Sequence, residues 1–168
     1  MRSTGEVLGL SKFYGEAFFK AQEATKTELP LSGKVLISVH DKDKEEMLEV
    51  AKDFVATGFE LLATKGTHKA LEAAGIKAEC VNKLNEGRPD IYDLITNGEI
   101  ALIINTPIGA DGVTDDSYLR KAAIKKKVPY ITTIAAAKAT ASGMISMGKP
   151  GCGEVKSLQE LHAEIKDK

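Results

Sequence analysis

Two short runs constrain this chain more than anything else in it: Lys34-Val35-Leu36-Ile37-Ser38-Val39 and Glu99-Ile100-Ala101-Leu102-Ile103-Ile104. Both are nearly continuous in apolar side chains, and both are too short for a buried helix. Runs of this kind read as strands buried on two faces, the pattern of a parallel sheet. Helical spacing lies between them. Residues 44–56 place Met47, Leu48, Val50, Ala51, Phe54 and Val55 on one side, behind a cap at Asp43 and before a stop at Gly58. Beyond these come a strand at 59–63, a turn at 64–67 and a helix at 68–74 stopped by Gly75. An extended piece at 77–81 and a helix at 90–96, stopped by Asn97-Gly98, precede the second apolar run. A turn at 105–109, a helix at 115–126 and a strand at 128–131 follow it. An Ala-rich helix capped by Thr132 or Thr133 runs to 147, and 148–153 is loop. The capping box Ser157-Leu158-Gln159-Glu160 opens a last helix. Strands alternating with helices predict an α/β fold of three layers: a mostly parallel, Rossmann-type sheet with helices on both faces.

Residues 1–31 read differently. Gly5, Gly9 and Gly15 punctuate them, and residues 16–24 form a short helix whose Phe18 and Phe19 have few local partners. Residues 25–32 make a polar, Pro-containing linker. So small a stub cannot bury its own apolar face. It either docks on the domain at 32–168 or is the tail of a preceding, larger domain.

Composition narrows the function. Lys and Arg number 23 against 24 Asp and Glu, a formal charge of -1, which argues against a nucleic-acid partner. Aromatic residues are 5% and Trp is absent, so no base-stacking platform is expected. Apolar residues at 43% and charged residues at 28% suit a globular domain. Cys80 and Cys152 stand outside any CxxC spacing and read as reduced thiols. No run is long enough for a membrane span, and Glu6, Lys12 and Glu16 interrupt any leader-like segment. A cytoplasmic location is the expectation.

In such sheets ligands bind beyond the carboxyl ends of the strands. The first strand ends in Ser38-Val39-His40-Asp41 with Lys44 at a helix start, and the second runs into Thr64-Lys65-Gly66-Thr67. Asn82-Lys83 follows the third, and Asn105-Thr106 ends the fourth. Small hydroxyls, a glycine and helix N-termini suit a phosphate, with Lys44 and Lys83 as charged donors. Each threonine taken alone reads as an N-cap and each lysine as a surface residue; it is several such turns at one sheet edge that point to a phosphate. His40 reads as a ligand contact or as a strand-end structural residue; His68 and His162 read as exposed. Asp111, Asp115 and Asp116 read as loop and N-cap carboxylates rather than a metal cluster. Lys125-Lys126-Lys127 reads as a solvated helix C-terminus.

These motifs carry a resemblance. Ser38 with Lys44, Ala63-Thr64-Lys65-Gly66-Thr67, Asn82-Lys83 with Glu86-Gly87-Arg88-Pro89-Asp90-Ile91, and Ile103-Ile104-Asn105-Thr106 resemble the methylglyoxal-synthase-like domain. Ser3-Thr4-Gly5-Glu6-Val7 and residues 16–22 resemble the end of the second synthetase core of carbamoyl-phosphate synthetase large subunits, and Thr132-Thr133 fits that subunit too, so that residues 1–31 resemble the tail of the preceding synthetase domain with a linker, and 32–168 the C-terminal allosteric domain. The likeness covers essentially the whole chain. It implies a regulatory part of an ATP-dependent, glutamine-hydrolysing ligase of pyrimidine and arginine biosynthesis, without catalysis of its own. The parent uses ATP with Mg or Mn and works with a glutaminase small subunit, while this part would carry no cofactor. The implied effectors are UMP, IMP and ornithine. A nucleotide would rest on Ser38, Lys44, Thr64, Gly66, Thr67, Lys83, Asn105 and Thr106, with Thr132 at an ornithine junction. Leu84, Ile91 and Leu119 would form an apolar base pocket, or simply core. Pro107 stands where the family often has a third hydroxyl. The alternative is a methylglyoxal-synthase-type phosphate lyase. Alignment sets Arg88 where that enzyme keeps its catalytic Asp, and Gly112 and Asp115 at its His-x-x-Asp.

Overall fold

The structure, a computed structural model, describes residues 6–25, 28–84, 86–106, 113–147 and 155–165, with the backbone alone at 113–115. Five parallel strands form one sheet: β1 (Lys34–Ser38), β2 (Glu60–Thr64), β3 (Glu79–Val81), β4 (Leu102–Asn105) and β5 (Tyr130–Ile131). Their order is β3-β2-β1-β4-β5. The helices are α1 (Tyr14–Ala24), α2 (Lys44–Ala56), α3 (Lys65–Ala73), α4 (Ile91–Asn97), α5 (Val113–Lys126), α6 (Ile134–Met147) and α7 (Leu158–Ala163).

The strand alternation sorts the core into two layers. Val35, Ile37, Leu61, Ala63, Leu102 and Ile104 face Met47, Val50, Phe54, Leu71, Ala137 and Met144 of α2, α3 and α6. Leu36, Leu62, Val81 and Ile103 face Ile91, Leu94, Ile95, Leu119 and Ala123 of α4 and α5. Val35, Leu36 and Ile37 are all fully buried, because both faces of β1 are covered. The α/β, parallel-sheet expectation is met.

The chain builds outward from β1 through β2 to β3, then returns to β4 on the other side of β1. In register, Ser38 sits beside Asn105 at the carboxyl ends of β1 and β4. Those two strands flank the point where the winding reverses, and a crevice opens there in such sheets.

Several element boundaries differ from the sequence pattern, each for a local reason. Helix α3 begins at Lys65, so Lys65, Gly66 and Thr67 form its first helical turn rather than a loop before it. Asp43 precedes α2 in helical geometry (φ -97°, ψ -7°), where its carboxylate caps nothing. The cap moves upstream: His40 Nδ1 accepts from Lys42 N at 3.2 Å, opening a 3-10 turn at Asp41–Asp43. Residues 99 and 128 do not start strands because their amides close helices. Glu99 N donates to Leu94 O at 3.0 Å, and Val128 N to Ala123 O at 2.9 Å. Thr133, not Thr132, caps α6, its Oγ1 accepting from Ala136 N at 3.2 Å. Helix α1 starts two residues early, at Tyr14, and α5 at Val113. The Ser157–Glu160 capping box is present at α7. Ser3, Thr4, Gly5, residues 26 and 27, Pro107, Ile108, Gly109, Asp111, Gly112, residues 148–153 with Cys152, and the Asp115 side chain lie outside the described residues.

Helix α1 docks on α6. Phe19 is 3% exposed within the α2–α3–α6 layer, and Phe18 is half-buried. The two helices cross at Gly15 and Gly143. A Cβ on Gly143 would lie 2.6 Å from Gly15 O, and one on Gly15 would lie 2.7 Å from Gly143 N. Gly143→Ala should therefore separate the helices. The expected cost is roughly 1–3 kcal/mol, the usual range for overpacking. A fall in Tm of about 3–10 °C by calorimetry is the readout.

Candidate functional site

A cleft of about 220 Å³ opens at the carboxyl edge of the sheet, above the junction of β1 with β2 and β4. It is lined by Ser38 from β1, Thr64 from β2, Gly66 and Thr67 from α3, Lys44 from α2, Lys83 after β3, and Asn105 and Thr106 from β4. All eight strand-end residues singled out in the sequence thus reach one cleft. Thr132 does not line it; it is half-buried between β5 and α6. Leu84, Ile91 and Leu119 form the apolar wall. Ile91 and Leu119 belong to the α4–α5 core as well, being 1% and 8% exposed.

The hydroxyls hold the loop that leaves β1. Val39 N donates to Thr67 Oγ1 at 3.2 Å, and His40 N donates to Thr106 Oγ1 at 2.9 Å. Thr106 N donates in turn to Ser38 O at 3.1 Å. Thr64 Oγ1 donates to Ser38 Oγ at 3.3 Å. A hydroxyl that accepts still has its own proton to give. Ser38, Thr67 and Thr106 are used here as acceptors, which leaves three O–H donors for a ligand.

Charge gathers at the same end. Thr64 is the N-cap of α3 but its side chain makes no capping bond, and among the described residues no side chain accepts from the leading amides of α3. Lys44 Nζ lies 3.4 Å from where a Cβ on Gly66 would stand, beside the first turn of α3. A cation over a helix N-terminus opposes the helix dipole. In this structure Asp41 offsets it, with Asp41 Oδ1 at 2.7 Å from Lys44 Nζ. The hydrogen bond and charge of Lys44 hold the Asp41 carboxyl below its ordinary value. Asp41 itself is 87% exposed at its side chain, so it can swing away. The ammonium of Lys83 meets no carboxylate among the described residues. Helix N–H groups, three hydroxyls and two ammonium groups together suit a tetrahedral oxyanion.

The loop carrying Lys83 is fixed by its own motif. Asn82 Nδ2 donates to Pro89 O at 3.3 Å, and Ile91 N to Asn82 O at 3.1 Å. Glu86 pairs with Lys65 at 3.4 Å. Gly87 adopts φ +137°, where a side chain would be strained. Arg88 is 78% exposed at its side chain and pairs with Asp93 at 2.7 Å.

Two readings are corrected. His68 is half-buried rather than exposed, with Nε2 at 3.1 Å from Ala78 O, because the first turn of α3 turns it toward the β3 edge. Asp116 is not a loop or N-cap carboxylate. It lies inside α5, lines the cleft, and bonds to Asn105, Tyr130 and Arg120. Sequence reading missed this group, although the i,i+4 pair Asp116 and Arg120 is visible in it. His40 lines the cleft and caps the 3-10 turn, so its structural role is present. His162 is exposed.

Residues 46–132 match the family described as MGS-like domain. The chain belongs to the MGS-like domain family. It is 48% identical over 163 residues to carbamoyl phosphate synthase large chain of Acidobacterium capsulatum, covering 97% of this chain and 15% of that relative. It is also 48% identical over 163 residues to the C-terminal section of that large chain from Methanopyrus kandleri, covering 96% of this chain and 30% of the relative. The chain thus spans less than a third of the curated relatives it matches. A methylglyoxal synthase from Elizabethkingia anophelis superposes with a TM-score of 0.55 at 14% identity, over 83% of this chain and 95% of that one, a likeness of fold.

If Asp41 holds the place of an anion on Lys44, removing its charge should favour the anion. Asp41→Asn is expected to tighten inorganic phosphate binding about twofold to fivefold by calorimetric titration, the scale of one exposed ion pair. Weaker binding in the variant would show that Asp41 positions Lys44 instead.

Proposed function

We propose that the chain is the effector-binding, regulatory part of a carbamoyl phosphate synthase large chain, and that its cleft takes a nucleoside monophosphate, UMP or IMP. The observation that carries this reading is the Lys44 ammonium above the uncapped N-terminus of α3. An ammonium beside the first turn of a helix leaves two positive groups close together, and an anion near both would satisfy both. Lys83 and the O–H donors of Ser38, Thr67 and Thr106 line the same cleft. The apolar wall of Leu84, Ile91 and Leu119 would meet the base.

On this reading the chain binds and does no chemistry of its own. ATP, with Mg or Mn, belongs to the rest of the large chain, and glutamine hydrolysis to a small subunit. The effector regulates only if it binds the active and less active states of the whole enzyme with different affinity. Thr132, outside the cleft at the head of α6, would meet ornithine at the junction with the neighbouring domain. Helix α1 packs along α6, which gives the signal a short route between the two. The pathways served would be pyrimidine and arginine biosynthesis, in the cytoplasm. The resemblance aligns Arg88 with the base of the lyases, and its guanidinium is engaged with Asp93, which favours binding over lyase chemistry.

A ligand at about 100 times its dissociation constant adds roughly 2.7 kcal/mol of stability. UMP or IMP at millimolar concentration should raise the Tm of this chain by about 5–10 °C. Lys83→Ala should abolish the shift. A shift with dihydroxyacetone phosphate alone would favour the lyase, and no shift with either nucleotide would sink the effector reading.

A further inference from the structure

Two exposed carboxylates pair with lysines beside the cleft, and the two pairs differ in kind. Asp41 pairs with the ammonium of Lys44, which lines the cleft. Glu86 pairs at 3.4 Å with the ammonium of Lys65, which does not. The same Glu86 oxygen, Oε2, also accepts from the main-chain amide of Lys83 at 3.4 Å. Glu86 N donates back to Lys83 O at 3.2 Å, so residues 83 and 86 close a turn. None of these bonds uses the Lys83 ammonium, and Lys83 lines the cleft.

The segment that carries Lys83 joins β3 to α4 and is fastened at its base. Ile91 N donates to Asn82 O at 3.1 Å, Asn82 Nδ2 donates to Pro89 O at 3.3 Å, and Asn82 bridges Asp90. Those bonds tie the segment to itself. Among the described residues, the Glu86–Lys65 pair is what ties it across to α3. One carboxylate oxygen therefore joins the main chain of Lys83 to the first turn of the helix whose leading amides face the proposed anion. We infer that Glu86 is a positioning residue, which clasps the Lys83 turn to α3 and so fixes the separation between the second cation of the cleft and that helix N-terminus. This rests on the anion reading of the cleft and adds how its second cation is held. Asp41 neutralises a cleft cation and has to give way to an anion. Glu86 neutralises a lysine outside the cleft and stays in place. A lysine on an unfastened turn loses freedom when the anion binds, whereas one on a fastened turn has less to lose.

Charge alone and positioning predict opposite signs. A carboxylate near an anion repels it, so removing one that acted only by charge should tighten binding. Glu86→Ala should instead weaken binding of inorganic phosphate to this chain about twofold to fivefold in calorimetric titration, the scale of one exposed ion pair. Glu86→Gln keeps an acceptor for the Lys83 amide and should recover part of that loss. Both members of the pair are exposed, so the fold should stand in either variant. The amide protons of Lys83 and Glu86 should exchange with solvent faster in Glu86→Ala by NMR, and also in Lys65→Met, which opens the clasp from the other side. Phosphate bound equally or more tightly by folded Glu86→Ala, or amide exchange unchanged in both Glu86→Ala and Lys65→Met, would overturn the clasp and leave the anion reading standing. A native chain that binds no phosphate would overturn both.

Discussion

A parallel strand bonded on both sides and covered on both faces can shed its chain only at its carboxyl end. Strand β1 is in that position, between β2 and β4 and under two helical layers. The amides just past its end, on Val39 and His40, have left the ladder and still need acceptors. Thr67 and Thr106 supply them. The fold alone accounts for an acceptor at each position. A hydroxyl meets that need and leaves a proton over, whereas a carbonyl or carboxylate would meet it and leave none. The spare hydroxyl protons of the cleft therefore come with the bonds that terminate β1.

Charge placement separates structural lysines from those that need another explanation. Lys125 and Lys126 stand in the last turn of α5, where the helix dipole welcomes a cation. Lys44 stands over the first turn of α3, where the dipole opposes it. Among the described residues, an exposed carboxylate, Asp41, relieves it. An exposed ion pair contributes little and is easily exchanged. The arrangement leaves a cation near a helix N-terminus with an easily exchanged partner, which is the feature the proposed anion site rests on.

Much of this was legible in the sequence, because strand runs and cap residues act locally. Residues 44–56 were read as a helix and form one, and the hydroxyls and lysines at strand ends were read as convergent and do converge. What escaped reading was set by pairing across distance. Asp43 looks like a cap in its own string, yet His40 caps because a 3-10 turn intervenes. Thr64-Lys65-Gly66-Thr67 looks like a turn because glycine is a poor helix former. The first turn of a helix has free amides in any case, so glycine is tolerated there. Asp116 and Arg120 look like a surface pair on a helix. Nothing local reveals that Tyr130, from a two-residue strand, closes a ring of bonds with Asn105 behind the cleft.

That ring matters because the opposite wall cannot discriminate as finely. Leu84, Ile91 and Leu119 continue the α4–α5 core up to the cleft, so their shape is tied to packing and their surface offers no direction. Apolar contact accepts many rings of similar size. The polar wall does not: an unpaired buried polar group is costly. Arg120 stands behind that wall, paired with Asp116 and over the Tyr130 ring. Asn105 and Asp116 line the cleft, while Tyr130 and Arg120, which bond to them, stand behind it.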